Sequence, residues 1–483
     1  MNRSLRRLYA GSAVAFGLLI LMLGYWQVVR ASALNDRPGN EYAAQRERLV
    51  DRGRIISADG VVLARSARSR VQGQTVFTRV YPHGTLAPHV VGYASTRVGS
   101  TGLESVYNRY LAGSYGTEPL LQRLNLKEKR GADVRITLDT RVQRAAQEAL
   151  GTNRGAVVAI DPRTGAVRAM VSQPGFDLGD VAGRRTFDRI TASDGSPLLN
   201  RATSGRYPPG STFKVVTATS ALDSNLFTPQ SRFVDTGTFR TAGPPIRNFG
   251  GARFGPHTLT TALTKSINTT FASIGTSLGE ERLGATMTRF GFGDRPAIDL
   301  PQREVLPSGR VGRGGRTLPN AEDGIDVARI AIGQERLAVS PLQMAMVAST
   351  IASGGVVRAP FLMRRVTDRG GETVREQGAR ELGRVASPEV MADLTAMMRR
   401  VVEEGTGTAA ALSSSGVAVA GKTGTAETGV EGRNAAWFIG FAPAERPVVA
   451  VAVVVEGTPG TGGVVAAPVA ARVMRAAVDA ERP

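Results

Sequence analysis

Residues 154–174 read RGAVVAIDPRTGAVRAMVSQP. Two apolar runs flank Asp161-Pro162-Arg163-Thr164-Gly165, a combination that favours a turn because proline fixes its φ, aspartate bonds its own backbone and glycine accepts positive φ. The stretch predicts a two-stranded hairpin. Two more apolar strands are expected far downstream, AAWFIGFAP at 435–443 and PVVAVAVVVEG at 447–457, followed by a helix over 464–480. Between them lies a long, mainly helical middle. Strands from both ends of a domain close one sheet, with the helical insert packed on its face. The expected class is α/β, a central sheet flanked by helices.

Moving toward the amino terminus, DVRITLDTRVQRAAQEALGTN at 133–153 predicts a helix that Asp139 caps and Gly151 stops. From Leu34 to Arg130 the chain is polar and punctuated by glycine, and Asp59-Gly60 is a hairpin signal. This predicts a smaller, strand-rich module. Before it, residues 8–29 read LYAGSAVAFGLLILMLGYWQVV, long enough at about 1.5 Å per residue to cross a hydrocarbon core. Arg3, Arg6 and Arg7 precede the run and Tyr25 and Trp26 close it, which predicts a membrane anchor with the amino terminus inside. A cleaved signal peptide is the competing reading, since Ala31-Ser32-Ala33 offers small-residue sites, but the apolar run is long and Arg30 stands beside them. The expected division is a cytoplasmic tail 1–7, a transmembrane anchor 8–29, a module 30–130 and a main domain 131–483.

With 483 residues the chain exceeds one ordinary core, in keeping with two or three domains. Having no cysteine, it can use neither a thiolate nucleophile nor a cysteine-ligated metal. The formal charge of +19 suits an acidic partner such as nucleic acid, an anionic membrane surface or a phosphorylated lipid, although an arginine-rich composition explains it equally. No nucleic-acid-binding signature stands out, so no nucleic acid partner is expected. His83 and His89 lack a carboxylate cluster, and neither a metal nor a cofactor is expected.

Only five of the 60 basic residues are lysine, at 127, 129, 214, 265 and 422. A buried ammonium can lose its proton where a guanidinium cannot, so these positions are candidates for proton transfer. Lys214 lies in PPGSTFKVVTA at 208–218, three residues after Ser211. Proline and glycine end the preceding loop, which puts Ser211 in the first turn of a helix with Lys214 on the same face. A neutral amine there can accept the hydroxyl proton, and the helix amino terminus favours the developing charge. Ser266-Ile267-Asn268 is a weaker signal, expected about once by chance in such a chain. Lys422-Thr423-Gly424, in VAGKTGTAETG at 419–429, is rarer and precedes a strand. The ordered set S-x-x-K, S-x-N, K-T-G is the arrangement of active-serine penicillin-recognising enzymes.

On these motifs the chain resembles the class B penicillin-binding proteins, most closely the penicillin-binding protein A type of actinobacteria. RGRIISADGVVLA at 52–64 looks like the start of that family's pedestal, TGLESVYNRYLAG at 101–113 like its glycine-leucine-glutamate segment, and 155–172 like the first hairpin of its transpeptidase sheet. One departure is Gly333-Gln334-Glu335, where many relatives carry a second glycine. The resemblance implies a serine beta-lactamase/transpeptidase-like fold with a helical subdomain, on a pedestal and one transmembrane helix. It implies that Ser211 attacks the penultimate D-alanine carbonyl of a stem peptide with Lys214 as base. Ser266 and Lys422 would relay a proton to the departing D-alanine, and Asn268 would hold the donor amide. The backbone amides of Ser211 and Thr425 would form an oxyanion hole, while Thr423 and Thr425, flanking Gly424, would grip the terminal carboxylate. Implied partners are lipid-linked peptidoglycan precursor and nascent glycan strands, beta-lactams, and a membrane glycosyltransferase of the shape-elongation-division-sporulation family.

Three rival readings share these motifs. A beta-lactamase needs a group that activates water, in its simplest class a glutamate followed four residues later by asparagine; Glu304 is followed by Ser308 instead. A D-alanyl-D-alanine carboxypeptidase differs only in accepting water in place of an amine. A scaffold for wall assembly would not depend on Ser211 at all.

Overall fold

The computed structural model describes residues 3–26, 30, 48–95, 97–115, 129–241, 243–312, 314–321, 324, 326–412, 415–426 and 432–481. Ala31-Ser32-Ala33, Lys127, residues 1–2 of the expected tail and 27–29 of the expected anchor lie outside them. Helix α1 (Arg3–Gly24) is exposed along its length, and its stretch Ser4–Gly24, of mean hydropathy 1.7, is long and apolar enough to cross a membrane.

Strands β1 (Ile55–Ile56) and β2 (Val62–Val71) form the hairpin signalled by Asp59-Gly60, with Gly60 at φ +87°. Strand β3 (Gln74–Val80) follows, and β4 (Asp133–Ile136) pairs parallel with β1. Helix α2 (Thr140–Leu150) begins where the Asp139 carboxylate accepts from the Arg141 N–H at 3.0 Å, and stops at Gly151. The quoted hairpin then appears as β5 (Gly155–Ile160) and β6 (Val167–Gln173). The insert contributes α3 (Lys214–Asp223), α4 (Asn268–Arg289) and α5 (Pro341–Ala352). Strands β7 (Met363–Thr367) and β8 (Thr373–Glu376) precede α6 (Pro388–Glu403). The chain closes with β9 (Ala420–Ala426), β10 (Asn434–Ala442), β11 (Val449–Thr458) and α7 (Gly462–Ala480).

The main sheet has the order β6-β5-β11-β10-β9 and is antiparallel throughout. Its strands β5, β11 and β10 are long apolar runs because both faces are covered. Val157 and Ala159 join a core with Val142, Ala146 and Leu150 of α2 and Val473 and Met474 of α7. Ala156, Val158 and Ile160 point the other way, into the core that holds Phe213, Leu342 and Val347 of the insert. Each buried valine or isoleucine side chain contributes about 1.5–3 kcal/mol before entropy is counted. Strand β9 carries Lys422-Thr423-Gly424 and is the sheet's outermost member, so the motif lies on an edge.

The second sheet, β8-β7-β4-β1-β2-β3, gathers strands from 55–80, 133–136 and 363–376. Beside it Glu104, fully buried, bridges Arg52 at 2.7 Å and Arg79 at 2.5 Å. Among the bonds that join this module to the insert, the Gly102 N–H donates to Glu304 Oε2 at 3.1 Å and the Tyr107 hydroxyl to Asp299 Oδ2 at 2.9 Å.

Candidate active site

Ser211 stands in a 3-10 turn, Gly210–Phe213, that runs into α3; the expected first turn of an α-helix is thus the tighter helical form. Pro208 and Pro209 limit the chain before it, and Gly210 takes φ +51°. Three contacts fix the turn. The Trp437 indole N–H donates to Pro208 O at 3.0 Å, the Gly210 N–H donates to Gly333 O at 3.1 Å, and Tyr207 and Val339 exchange backbone bonds at 3.0 and 2.8 Å. Gly424 of β9 lies so close that a Cβ there would meet Pro209 O at 2.9 Å and Thr212 N at 3.0 Å. The edge strand therefore abuts the serine turn only because residue 424 is glycine.

Lys214 and Lys422 are both 0% exposed. Lys214 Nζ donates to Ser266 O and to Asn268 Oδ1, each at 2.7 Å, and lies 3.3 Å from Ser266 Oγ. Lys422 Nζ donates to Ser266 Oγ at 2.9 Å and to Thr423 O at 2.9 Å. All three motifs thus meet at one hydroxyl, although Lys422 follows Ser266 by 156 residues. Within the turn the Lys214 backbone N–H donates to Ser211 O, but among the described residues no side-chain hydrogen bond joins Ser211 to Lys214, so the direct side-chain contact expected from their spacing is not made. Catalytic hydrogen bonds often tighten only when substrate is bound.

Burial holds Lys214 well below the ordinary lysine range, and the nearby Lys422 charge adds to the effect. Burial alone lowers Lys422 to about 7. The Phe271 ring, 5.5 Å from Lys214 Nζ, opposes this by favouring the charged form, a weak contribution beside full desolvation. A neutral Lys214 has two N–H bonds, matched by its two short acceptors. Its lone pair is then free to take a proton from a hydroxyl. The arrangement can deprotonate a serine and return a proton through Ser266, the chemistry of acyl transfer.

Asn268 is bound on both ends of its amide, by Lys214 at Oδ1 and through Nδ2 to Arg247 O at 2.9 Å. The Thr423 hydroxyl lies 2.5 Å from the Thr406 hydroxyl, and Thr425 Oγ1 accepts from the Gly462 N–H at 3.1 Å. Lys265 is elsewhere: its Nζ donates to Glu404 O at 3.1 Å on the surface. His89 is buried, with Nε2 on Pro197 O at 2.7 Å and burial lowering it to about 4. Glu304, weighed as a water-activating carboxylate, is engaged with Gly102 at the seam with the amino-terminal module.

Sequence reading missed Thr406 and Trp437, and it singled out Gly333 without assigning it a role. Tryptophan is scarcer than lysine, with two residues in the chain, and that scarcity could have singled out Trp437. Threonine is common and Thr406 carried no such signal. A Cβ on Gly333 would come within 2.0 Å of Gly210 O. In the same loop Glu335 and Arg336 take φ +58° and +57°, left-handed values that residues with a Cβ rarely adopt.

Residues 155–475 match the family model for the penicillin-binding protein transpeptidase domain, and residues 52–134 that for the penicillin-binding protein A dimerisation domain. The chain is 36% identical over 508 aligned positions to peptidoglycan D,D-transpeptidase PbpA of Mycolicibacterium smegmatis, covering 99% of each. It is 34% identical to the protein of that name from Mycobacterium tuberculosis over the full length of both. Among solved structures it resembles the imipenem acyl-enzyme complex of penicillin-binding protein A from M. tuberculosis with TM-score 0.79 and 33% identity, over 89% of this chain and 100% of that one. The D,D-transpeptidase domain of a peptidoglycan glycosyltransferase from Eggerthella lenta gives TM-score 0.79 and 35% identity, over 89% and 99%.

Proposed function

The chain belongs to the penicillin-binding protein transpeptidase family, and from that premise we propose that it is a peptidoglycan D,D-transpeptidase acting through a Ser211 acyl-enzyme that beta-lactams trap. The observation that carries the reading is the meeting of two buried lysines on the Ser266 hydroxyl, one of them in the same helical turn as Ser211.

Neutral Lys214 takes the Ser211 proton as Oγ bonds to the penultimate D-alanine carbonyl carbon. The oxyanion that forms is held by the backbone amides of Ser211 and Thr425, a contribution of about 3 kcal/mol per donor. The C–N bond then breaks, and the departing D-alanine nitrogen receives its proton through Ser266, which Lys422 keeps oriented and polarised. Asn268 holds the donor peptide amide. Thr423 and Thr425, on either side of Gly424, grip the terminal carboxylate. An amine from a second stem attacks the ester carbonyl and gives its proton to Lys214, the C–Oγ bond breaks, and Lys214 passes the proton to Ser211 Oγ, which regenerates the hydroxyl and leaves a new cross-link. A beta-lactam opens its ring in the first step, and no leaving group departs.

The edge position of β9 supports this, because an extended peptide can lie along an unpaired strand. The pairing of Glu304 with Gly102 favours cross-linking over beta-lactamase action. We place the tail at 1–7, the anchor at 8–29, the pedestal at 30–130 and the catalytic domain at 131–483. The arginines before the apolar helix put the amino terminus in the cytoplasm and the catalytic domain outside. There it meets lipid-linked precursor and nascent strands, and the pedestal faces a membrane glycosyltransferase of the shape-elongation-division-sporulation family.

Intact-mass measurement after incubation with a fluorescent penicillin tests the reading. Wild type gains one adduct and Ser211→Ala none; an adduct on the alanine variant would refute it.

A further inference from the structure

The second motif sits on a turn that its own sequence does not secure. Ser266 takes φ +60°, a region that costs a residue with a Cβ about 1–2 kcal/mol. Ile267, which precedes α4, has no side chain able to accept from the helix's first N–H groups. The acceptor arrives from another segment: Asn248 Oδ1 takes the Asn268 N–H at 2.9 Å and the Thr269 N–H at 3.2 Å.

Asn248 is itself held in one orientation. Its Nδ2 donates to Asp235 Oδ2 at 2.8 Å, so only its oxygen can face the helix. Asp235 also accepts from Thr269 Oγ1 at 2.6 Å and from the Gly237 and Phe254 N–H groups at 2.8 Å each. Both side chains are 5% exposed. With Arg247 O accepting from Asn268 Nδ2, two adjacent residues hold the backbone and the amide of Asn268 while its Oδ1 meets Lys214.

We propose that Asp235 and Asn248 are positioning residues: they clamp the start of α4, keep Ser266 in its left-handed conformation and so set Ser266 and Asn268 against the two lysines. The proposal rests on the transpeptidase reading. Neither residue touches the reacting atoms, and each acts through the second motif.

The test is a double-mutant cycle on the full chain, read as the rate of acylation by a fluorescent penicillin with thermal melting as the folding control. Asn248→Ala is expected to slow acylation by at least about tenfold, since small misplacements of catalytic groups cost that much. In a background carrying both Ser266→Ala and Asn268→Ala the same change is expected to cost less than about threefold, because both groups it positions are gone. An equal loss in both backgrounds, or no loss in the first, overturns the proposal. Should Asn248→Ala fail to fold, Thr269→Val, which removes one bond to Asp235, enters the same cycle; a wild-type rate there overturns it equally. A wild type that forms no Ser211 adduct would instead refute the transpeptidase reading.

Discussion

Lys214 and Lys422 share one neighbour, the Ser266 hydroxyl, which lies 3.3 Å from the first amine and 2.9 Å from the second. Two ammonium groups in one desolvated pocket repel, so their proximity favours losing a proton from at least one of them. Lys214 responds both to burial and to the Lys422 charge, which marks it as the group that gives up its proton.

That assignment predicts that Lys214→Arg, which keeps the charge and cannot supply a base, lowers the acylation rate by about 10²–10⁴-fold. Stopped-flow with a chromogenic cephalosporin measures it. Retention of more than a tenth of the wild-type rate would remove Lys214 from the role of base.

Lys422 predicts a pH-dependent stability. Its folded value, about 7, lies below the ordinary 10.5, so the unfolded chain binds the extra proton between those values. The cost of burying Lys422 is largest below pH 7 and fades as pH rises toward 10.5. Lys422→Met should therefore melt higher than wild type at neutral pH, with a gap that narrows as pH rises to 10. A gap independent of pH would refute it.

Gly333 and Glu335 bracket opposite effects in one loop. Gly333→Ala drives a Cβ into Gly210 O and displaces the serine turn, so acylation should fall by at least about tenfold. Glu335→Gly relieves a left-handed residue and should stabilise by about 1 kcal/mol. Melting curves and acylation rates on both variants decide; a destabilised Glu335→Gly would show that its side chain matters more than its backbone.

Glu104 predicts instability that arises outside the catalytic centre. Removing it by Glu104→Ala leaves Arg52 and Arg79 buried without their shared carboxylate, a loss of about 3–5 kcal/mol. Denaturant unfolding should show the loss while the folded fraction still acylates. Unchanged stability would mean that water replaces the carboxylate.

Local chemistry made much of this chain legible beforehand. The turn at 161–165, the Asp139 cap and the apolar runs at 435 and 447 are decided by neighbours within a few residues, and the structure has these elements. The same holds for the first and third motifs, whose rare lysines announce themselves by composition, whereas Ser266-Ile267-Asn268 gains its weight only from its place between them. What the sequence could not supply is anything that depends on segments far apart in the chain. Ser211 and Lys214 are neighbours by spacing yet their side chains make no hydrogen bond to each other, whereas those of Ser266 and Lys422 bond across 156 residues. Asn248 completes a helix that Ile267 leaves uncapped. Trp437, Gly333 and Gly424 shape the serine turn from three separate elements. Periodicity and turn chemistry are short-range and can be read along a chain, while burial, and with it the lowered proton affinity of two lysines, exists only once the sheet edge closes over the insert.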